Sequence, residues 1–271
     1  MKNLIYSLLK AKLSILLFII HFSVSGQFII IDSIRVNNID KVSIDRQGSI
    51  YLGDQNGNVD KYNSKLELTD RFSPVQKGSI GILEAWNPLK VFVFYQQLQQ
   101  YAFLDRFLVT ANRYELKDIS SYAGLATISL DNNLWIIDLA KFGLIKYNIS
   151  YGQIEIERPF DLILNPESYE ITHIREYQNL LFVSDKKSGI LIFDNLGNYL
   201  RTIKAVGISY FNFEGDKIYF KVQNNLIIKD IYDKAVKEIK VDKEVVNVIL
   251  YEKSYFFLTK KWLKKAALID N

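Results

Sequence analysis

An apolar or aromatic residue followed by Asn or Asp recurs along this chain as Tyr62-Asn63, Leu104-Asp105, Tyr147-Asn148, Phe193-Asp194, Tyr232-Asp233 and Ile269-Asp270, at intervals of 42, 43, 46, 39 and 37 residues. A carboxylate or amide at such a place has a physical reason, because its side chain accepts from the backbone two residues on and starts a hairpin turn. Upstream of each pair lies a short apolar run bounded by Gly, Asn or Asp: "SIYLGD", "KVFVFY", "NLWIID", "LLFVSD", "KIYFKV" and "SYFFLT". Such runs are strand signals. Beyond the first 26 residues no long stretch sustains a 3.6-residue apolar period, so helix is at most a minor component.

Each unit reads as four strands: an inner one such as "VSID" or "ITHIRE", the "SIYLGD" type, the "NVDKYN" type, and an outer one such as "LELTDRF" or "YLRTIKAV". A four-stranded, helix-free unit of roughly 40 residues is the pattern of a β-propeller blade. Six copies predict an all-β, six-bladed propeller over residues 27–271, in preference to a long β-sandwich. The sixth copy reaches only the turn at Asp270-Asn271, and "FIIIDSIRV", 28 to 36, is expected to supply its missing outer strand. That pairing closes the ring and removes an open edge on which chains could aggregate.

Residues 1–26 read as a secretory signal peptide. Lys2, Lys10 and Lys12 precede a continuous apolar run, Leu13 to Val24, too short for a comfortable bilayer span, and small residues lead to cleavage before Gln27. Retention as an uncleaved anchor is the alternative. Without the signal, 31 of the 34 Lys and Arg residues remain against 30 acids. Near-neutrality offers no field for nucleic acid or an anionic membrane. Cysteine is absent, which excludes disulfides, thiolate metal sites, a cysteine nucleophile and a lipid-bearing cysteine.

At the level of blade period, and of the phrase "GILIFDNLGNYLRTI" at 189 to 203, the chain resembles the six-bladed β-propeller superfamily that includes NHL-repeat proteins and gluconolactonase-like enzymes. The resemblance fixes architecture and leaves function open. For an enzyme of the gluconolactonase kind it implies a divalent metal, Ca or Zn, in the central channel. Glu84 and Asn212, with Glu214 nearby, are then the candidate ligands from innermost strands; the alternative reading is polar lining of a wet channel. The resemblance also implies that loops between second and third strands share one face with the connections between blades. On that face fall Lys186 and Lys187 of "SDKKSG", Trp262 of "TKKWLKK", and Tyr122 and Tyr169 of the blade connections.

Interleaved lysines and aromatics there suit an anionic, protein or glycan partner, or else solvate hairpins, guard strand edges and cap blade tops. Outside the signal there is one histidine, His173, which excludes a multi-histidine metal site. No G-x-S-x-G elbow gives it a nucleophile, and no phosphate loop, EF-hand or dinucleotide fingerprint is present. The expectation is therefore a monomeric, exported, non-catalytic binding or scaffold module without cofactor, periplasmic or extracellular, with a protein or glycan partner and no transmembrane span in the mature chain. A propeller hydrolase or lyase and a glycan- or ligand-binding propeller are the alternatives.

Overall fold

The computed structural model describes residues 28–109 and 111–269; the expected signal, its cleavage point and the last turn residue, Asp270, lie outside them. The first strand, β1 (Phe28–Arg35), stands apart from the unit that follows it. Blade one is β2 (Ile39–Ile44), β3 (Ile50–Asp54), β4 (Val59–Tyr62) and β5 (Leu68–Phe72). Blade two is β6 (Ile80–Glu84), β7 (Val91–Tyr95), β8 (Gln100–Leu104) and β9 (Ala111–Glu115). Blade three is β10 (Ala123–Ile128), β11 (Leu134–Asp138), β12 (Gly143–Asn148) and β13 (Gln153–Pro159). Blade four is β14 (Ile171–Tyr177), β15 (Leu180–Asp185), β16 (Gly189–Asp194) and β17 (Tyr199–Ile203). Blade five is β18 (Phe211–Glu214), β19 (Lys217–Val222), β20 (Asn225–Asp230) and β21 (Val236–Lys240). The last strands are β22 (Asn247–Tyr251), β23 (Ser254–Leu258) and β24 (Trp262–Leu268).

All six sheets are four-stranded and antiparallel, and no described residue is helical. In the sixth sheet the order is β1, β24, β23, β22, so the first strand of the chain completes the last blade, as the sequence predicts. Phe28 lies opposite Leu268 and Arg35 opposite Trp262. The Phe28 ring packs edge-on against Tyr255 and Phe257, at 4.9 and 4.8 Å, which fixes the register of the closing strand.

Turn chemistry explains why the third and fourth strands meet where they do. Oδ1 of Asn63 accepts from the N–H groups of Lys65 and Glu67, Asp105 and Asp194 act in the same way, and Asn148 accepts from the N–H of Tyr151, three residues on. The fifth repeat needs a correction. Its turn is organised by Asp230, which accepts from the N–H groups of Tyr232 and Asp233, and Asp233 bonds only the N–H that follows it.

Burial follows position within a blade. Middle strands such as β7 and β11 are buried along their whole length, whereas the outer β13 alternates mainly between exposed and half-buried residues. Phe92, Phe94, Trp135, Leu181 and Phe193 belong to one core cluster that runs through blades two to four. Each such side chain contributes about 1.5–3 kcal/mol on burial, so blade faces hold the ring together and leave the inner strands to shape the channel.

Candidate functional site

Side chains alternate along a strand, and on β14 this sorts chemistry between two neighbours. His173, Arg175 and Tyr177 face blade five: His173 packs on Tyr210 and Phe211, and Tyr177 stacks on Phe213 at 4.2 Å. Ile174 and Glu176 face blade three, where Glu176 accepts from the Trp135 indole N–H.

Arg175 is the centre of the channel. Its Nε is 2.9 Å from Oε2 of Glu84 on blade two, and its Nη1 donates to Oδ1 of Asn212 on blade five. The other Glu84 oxygen accepts from the Trp86 N–H at 3.0 Å, and Asn212 Nδ2 donates to the Tyr210 hydroxyl at 2.8 Å. Trp86, Tyr177 and Phe213 surround the guanidinium at 6.0, 5.9 and 5.5 Å from their ring centres. Arg175, Glu84 and Asn212 are all buried. Desolvating an ion pair is expensive, and the extra hydrogen bonds are what make such a pair tolerable. The network ties three blades together across the axis and divides the channel into an upper and a lower mouth.

The upper mouth is a cavity of about 460 Å³ lined by Lys41, Ser79, Gln96, Tyr169, Thr172 and Ser209 among others. A smaller cavity of about 180 Å³ shares Lys41 and Ser209 with it and reaches His173, Tyr210 and Asn247. Sequence turns make this opening. The first strands of blades one to four each carry a β-bulge at the upper end, at Asp40, Gly81, Gly124 and Thr172. A bulge bends its strand and re-aims the neighbouring side chains. At two of these places glycine admits a close approach, since a Cβ would lie 2.9 Å from the Phe94 ring at Gly81 and 2.6 Å from the Leu139 side chain at Gly124, so that a larger residue would have to displace those side chains.

Two ionisable groups in this half are displaced from their ordinary behaviour. Burial pulls the Lys41 pKa down, against a smaller opposing attraction from Asp40. For His173, burial and then the charges of Lys41 and Arg175 push the pKa well below the usual histidine value, so the ring is neutral. Among the described residues no hydrogen bond engages the His173 ring nitrogens.

Of the residues singled out by sequence, Tyr169 and Lys186 meet at the upper cavity, where Lys186 pairs with Glu170. Tyr122 is 48% exposed on the connection into blade three, Trp262 is 41% exposed at the start of β24, and Lys187 is exposed between β15 and β16; none of these three lines the cavity. Glu84 and Asn212 do converge, but on the Arg175 guanidinium. That donor set does not suit Ca or Zn, because a divalent ion there would face a fixed positive charge at contact distance and oxygens already engaged. Glu214 stands apart from the network, and burial raises its pKa. Among the described residues no group of three or more His, Asp or Glu side chains is placed to hold a metal ion. Sequence reasoning missed Arg175 and Lys41; the available signal was a cation within a predicted innermost strand, in "ITHIRE" and "IDKVSI".

The lower mouth, about 440 Å³, is walled by Trp86, Leu130 and Tyr177, with Asn87, Asn132 and Gln178 beside them. Trp86 and Tyr177 meet edge to face at 6.4 Å.

No protein-family model and no curated protein matches the chain. Solved structures do match. Virginiamycin B lyase from Staphylococcus aureus, in a catalytically inactive variant with quinupristin, is 13% identical, covering 85% of this chain and 80% of that one at a TM-score of 0.60. The β-propeller domain of Cps50 (Swd1) from Myceliophteria thermophila is 11% identical, covering 89% and 100% at 0.63. BamB from Moraxella catarrhalis is 9% identical, covering 89% and 100% at 0.50. At these identities the similarity is one of fold, and the chain is a six-bladed β-propeller.

Proposed function

We propose that this chain is an exported, non-catalytic binding propeller of the envelope or extracellular space that takes a protein partner on its upper face. The observation behind this reading is the state of the channel groups. Arg175, Glu84 and Asn212 satisfy one another, and His173 is neutral with no group orienting it. General acid–base chemistry needs a proton-transfer group held within hydrogen-bond reach of its target, and a buried saturated network offers none. The upper face, by contrast, presents Tyr122, Tyr169 and Trp262, rigid aromatics of the kind that dominate interfaces, with Lys186 and Lys187 beside them. Export rests on the Lys-flanked apolar run ahead of Gln27. N-terminal sequencing of the native protein should begin at Gln27, and Met1 retained in a cytoplasmic pool would end that part of the reading.

The test of binding is a comparison of two variants. Tyr122 and Trp262 replaced together by Ala should melt close to wild type yet lose capture of partners from envelope extract, whereas Tyr169, packed on Phe142, is left in place. Capture that survives, or a calcium- or zinc-dependent stabilisation abolished by Glu84→Ala with Asn212→Ala, would overturn it.

The lower mouth favours a second reading, glycan binding. Trp86 and Tyr177 supply aromatic faces, and Asn87, Asn132 and Gln178 supply planar polar groups suited to hydroxyls. On a glycan array, Trp86→Ala should lose whatever the wild type retains. Retention by both, or by neither, removes the reading.

A further inference from the structure

We propose that the upper mouth holds a single carboxylate, carried on an apolar body, on the Lys41 ammonium. The proposal rests on the binding reading and names the chemistry of the group bound. Lys41 is half-buried and lines both upper cavities. Among the described residues no carboxylate lies within ion-pair distance of its Nζ and no hydrogen bond engages it. Its sequence neighbour Asp40 is the unpaired residue of the bulge, exposed, with Oδ1 accepting from the Gln55 amide at 3.3 Å. A lysine withdrawn from water is ordinarily paired.

The surroundings specify the partner further. The Ser79 and Ser209 hydroxyls line the same cavity and make no hydrogen bond among the described residues, so both can donate to an oxyanion. Thr172 differs: its hydroxyl is held by Ser184 Oγ at 2.8 Å and the Ile208 carbonyl at 3.1 Å, and it forms fixed wall. Leu125, Leu139 and Ile171 give the cavity apolar sides for a hydrocarbon body. Charge decides between anions. Lys186, the other cation of the cavity, is neutralised by Glu170, and Arg175 below is spent on Glu84 and Asn212. One net positive charge matches a carboxylate, whereas a phosphate dianion would keep an uncompensated charge in a partly desolvated site.

Calorimetric titration of the whole chain tests this with 3-phenylpropionate, its amide, inorganic phosphate, and a short peptide ending in Phe with a free or an amidated terminus. The two carboxylates separate a small free acid from a polypeptide C-terminus. At least one should bind saturably, its amide about tenfold or more weaker, the scale of one lost charge-assisted hydrogen bond. Lys41→Met and Lys41→Gln should lose the same factor, and Lys65→Met, on an exposed turn of the opposite face, should not. Absence of binding by both carboxylates, equal binding of acid and amide, tighter binding of phosphate, or undiminished binding by both Lys41 variants each overturns the proposal. Partner capture that persists in Lys41→Met would leave the wider binding reading standing without it.

Discussion

The two halves of the channel are built from the same ring of first strands, yet they treat a buried cation in opposite ways. In the middle and below, Arg175 finds a carboxylate, an amide oxygen and three aromatic faces, and it joins blades two, four and five. Above, Lys41 lies among hydroxyls and apolar side chains; Asp40 beside it attracts it weakly and Glu170 is paired with Lys186, and among the described residues no acid comes within ion-pair distance of it. A guanidinium suits the first role because its planar fork satisfies several acceptors at once; an ammonium on a flexible stem suits the second. The lesson is that a partnered charge sets geometry while an unpartnered one is left for chemistry from outside. Burial alone does not distinguish them.

Arg175→Met gives the largest expected effect on that contrast. It strands the Glu84 carboxylate in a buried site, and breaking such a pair costs about 3–5 kcal/mol. Urea unfolding should show the loss, and Arg175→Met combined with Glu84→Gln should recover part of it. A single variant as stable as wild type would mean that the guanidinium does not organise the channel, and the distinction between the halves would collapse.

A smaller effect concerns His173, between the two cations. Its folded pKa lies below the ordinary 6.5. As pH falls through that value the unfolded chain takes up a proton that the native ring refuses, so stability is full above it and declines below it until the folded pKa is reached. His173→Phe keeps an aromatic ring against Tyr210 and Phe211 and removes this dependence. Glu214, whose pKa is raised, works in the opposite direction on acidification, so the quantity to measure is the difference between wild type and variant. Parallel pH profiles would show that His173 is not held neutral.

Blade count and ring closure were legible in the sequence because they rest on local rules, alternation along strands and turn carboxylates, together with the fourth strand expected from residues 28 to 36. Even so, the fifth turn was misread by three positions, since Lys229 precedes Asp230 where an apolar residue was sought, while Tyr232-Asp233 carries the repeated pattern, and the pairing of β20 with β21 chooses between them. The site was less legible. Glu84 and Asn212 could be assigned to inner strands, but their convergence on Arg175 depends on which blades face each other across the axis. Tyr169 and Lys186 meet because β14 and β15 bring their flanking loops together, a contact within one blade. Tyr122 and Trp262 share their face without sharing a cavity.

Trp86→Ala probes the lower mouth at modest cost. The ring is 42% exposed, and its losses are an edge contact with Tyr177 and a cation–π contact with Arg175. Together these predict a destabilisation of about 1 kcal/mol, with the Arg175 network intact. A loss as large as that of Arg175→Met would make Trp86 part of the network and not a wall of the cavity beneath it.

The smallest expected effect has the opposite sign and bears most directly on the upper mouth. Lys41→Met removes an ammonium that burial disfavours and puts a thioether of similar reach against Leu83 and Ile80. Replacing an unpaired charge in a partly desolvated site by an apolar side chain stabilises, here by up to about 1 kcal/mol, the scale of single substitutions that relieve a functional strain. Denaturant midpoints at neutral pH measure it, without any ligand. If stability rises while carboxylate binding is lost, Lys41 is kept at a cost to the fold for the sake of what it holds. Should stability fall instead, Lys41 is structural in the same sense as Arg175, and the two mouths differ only in shape.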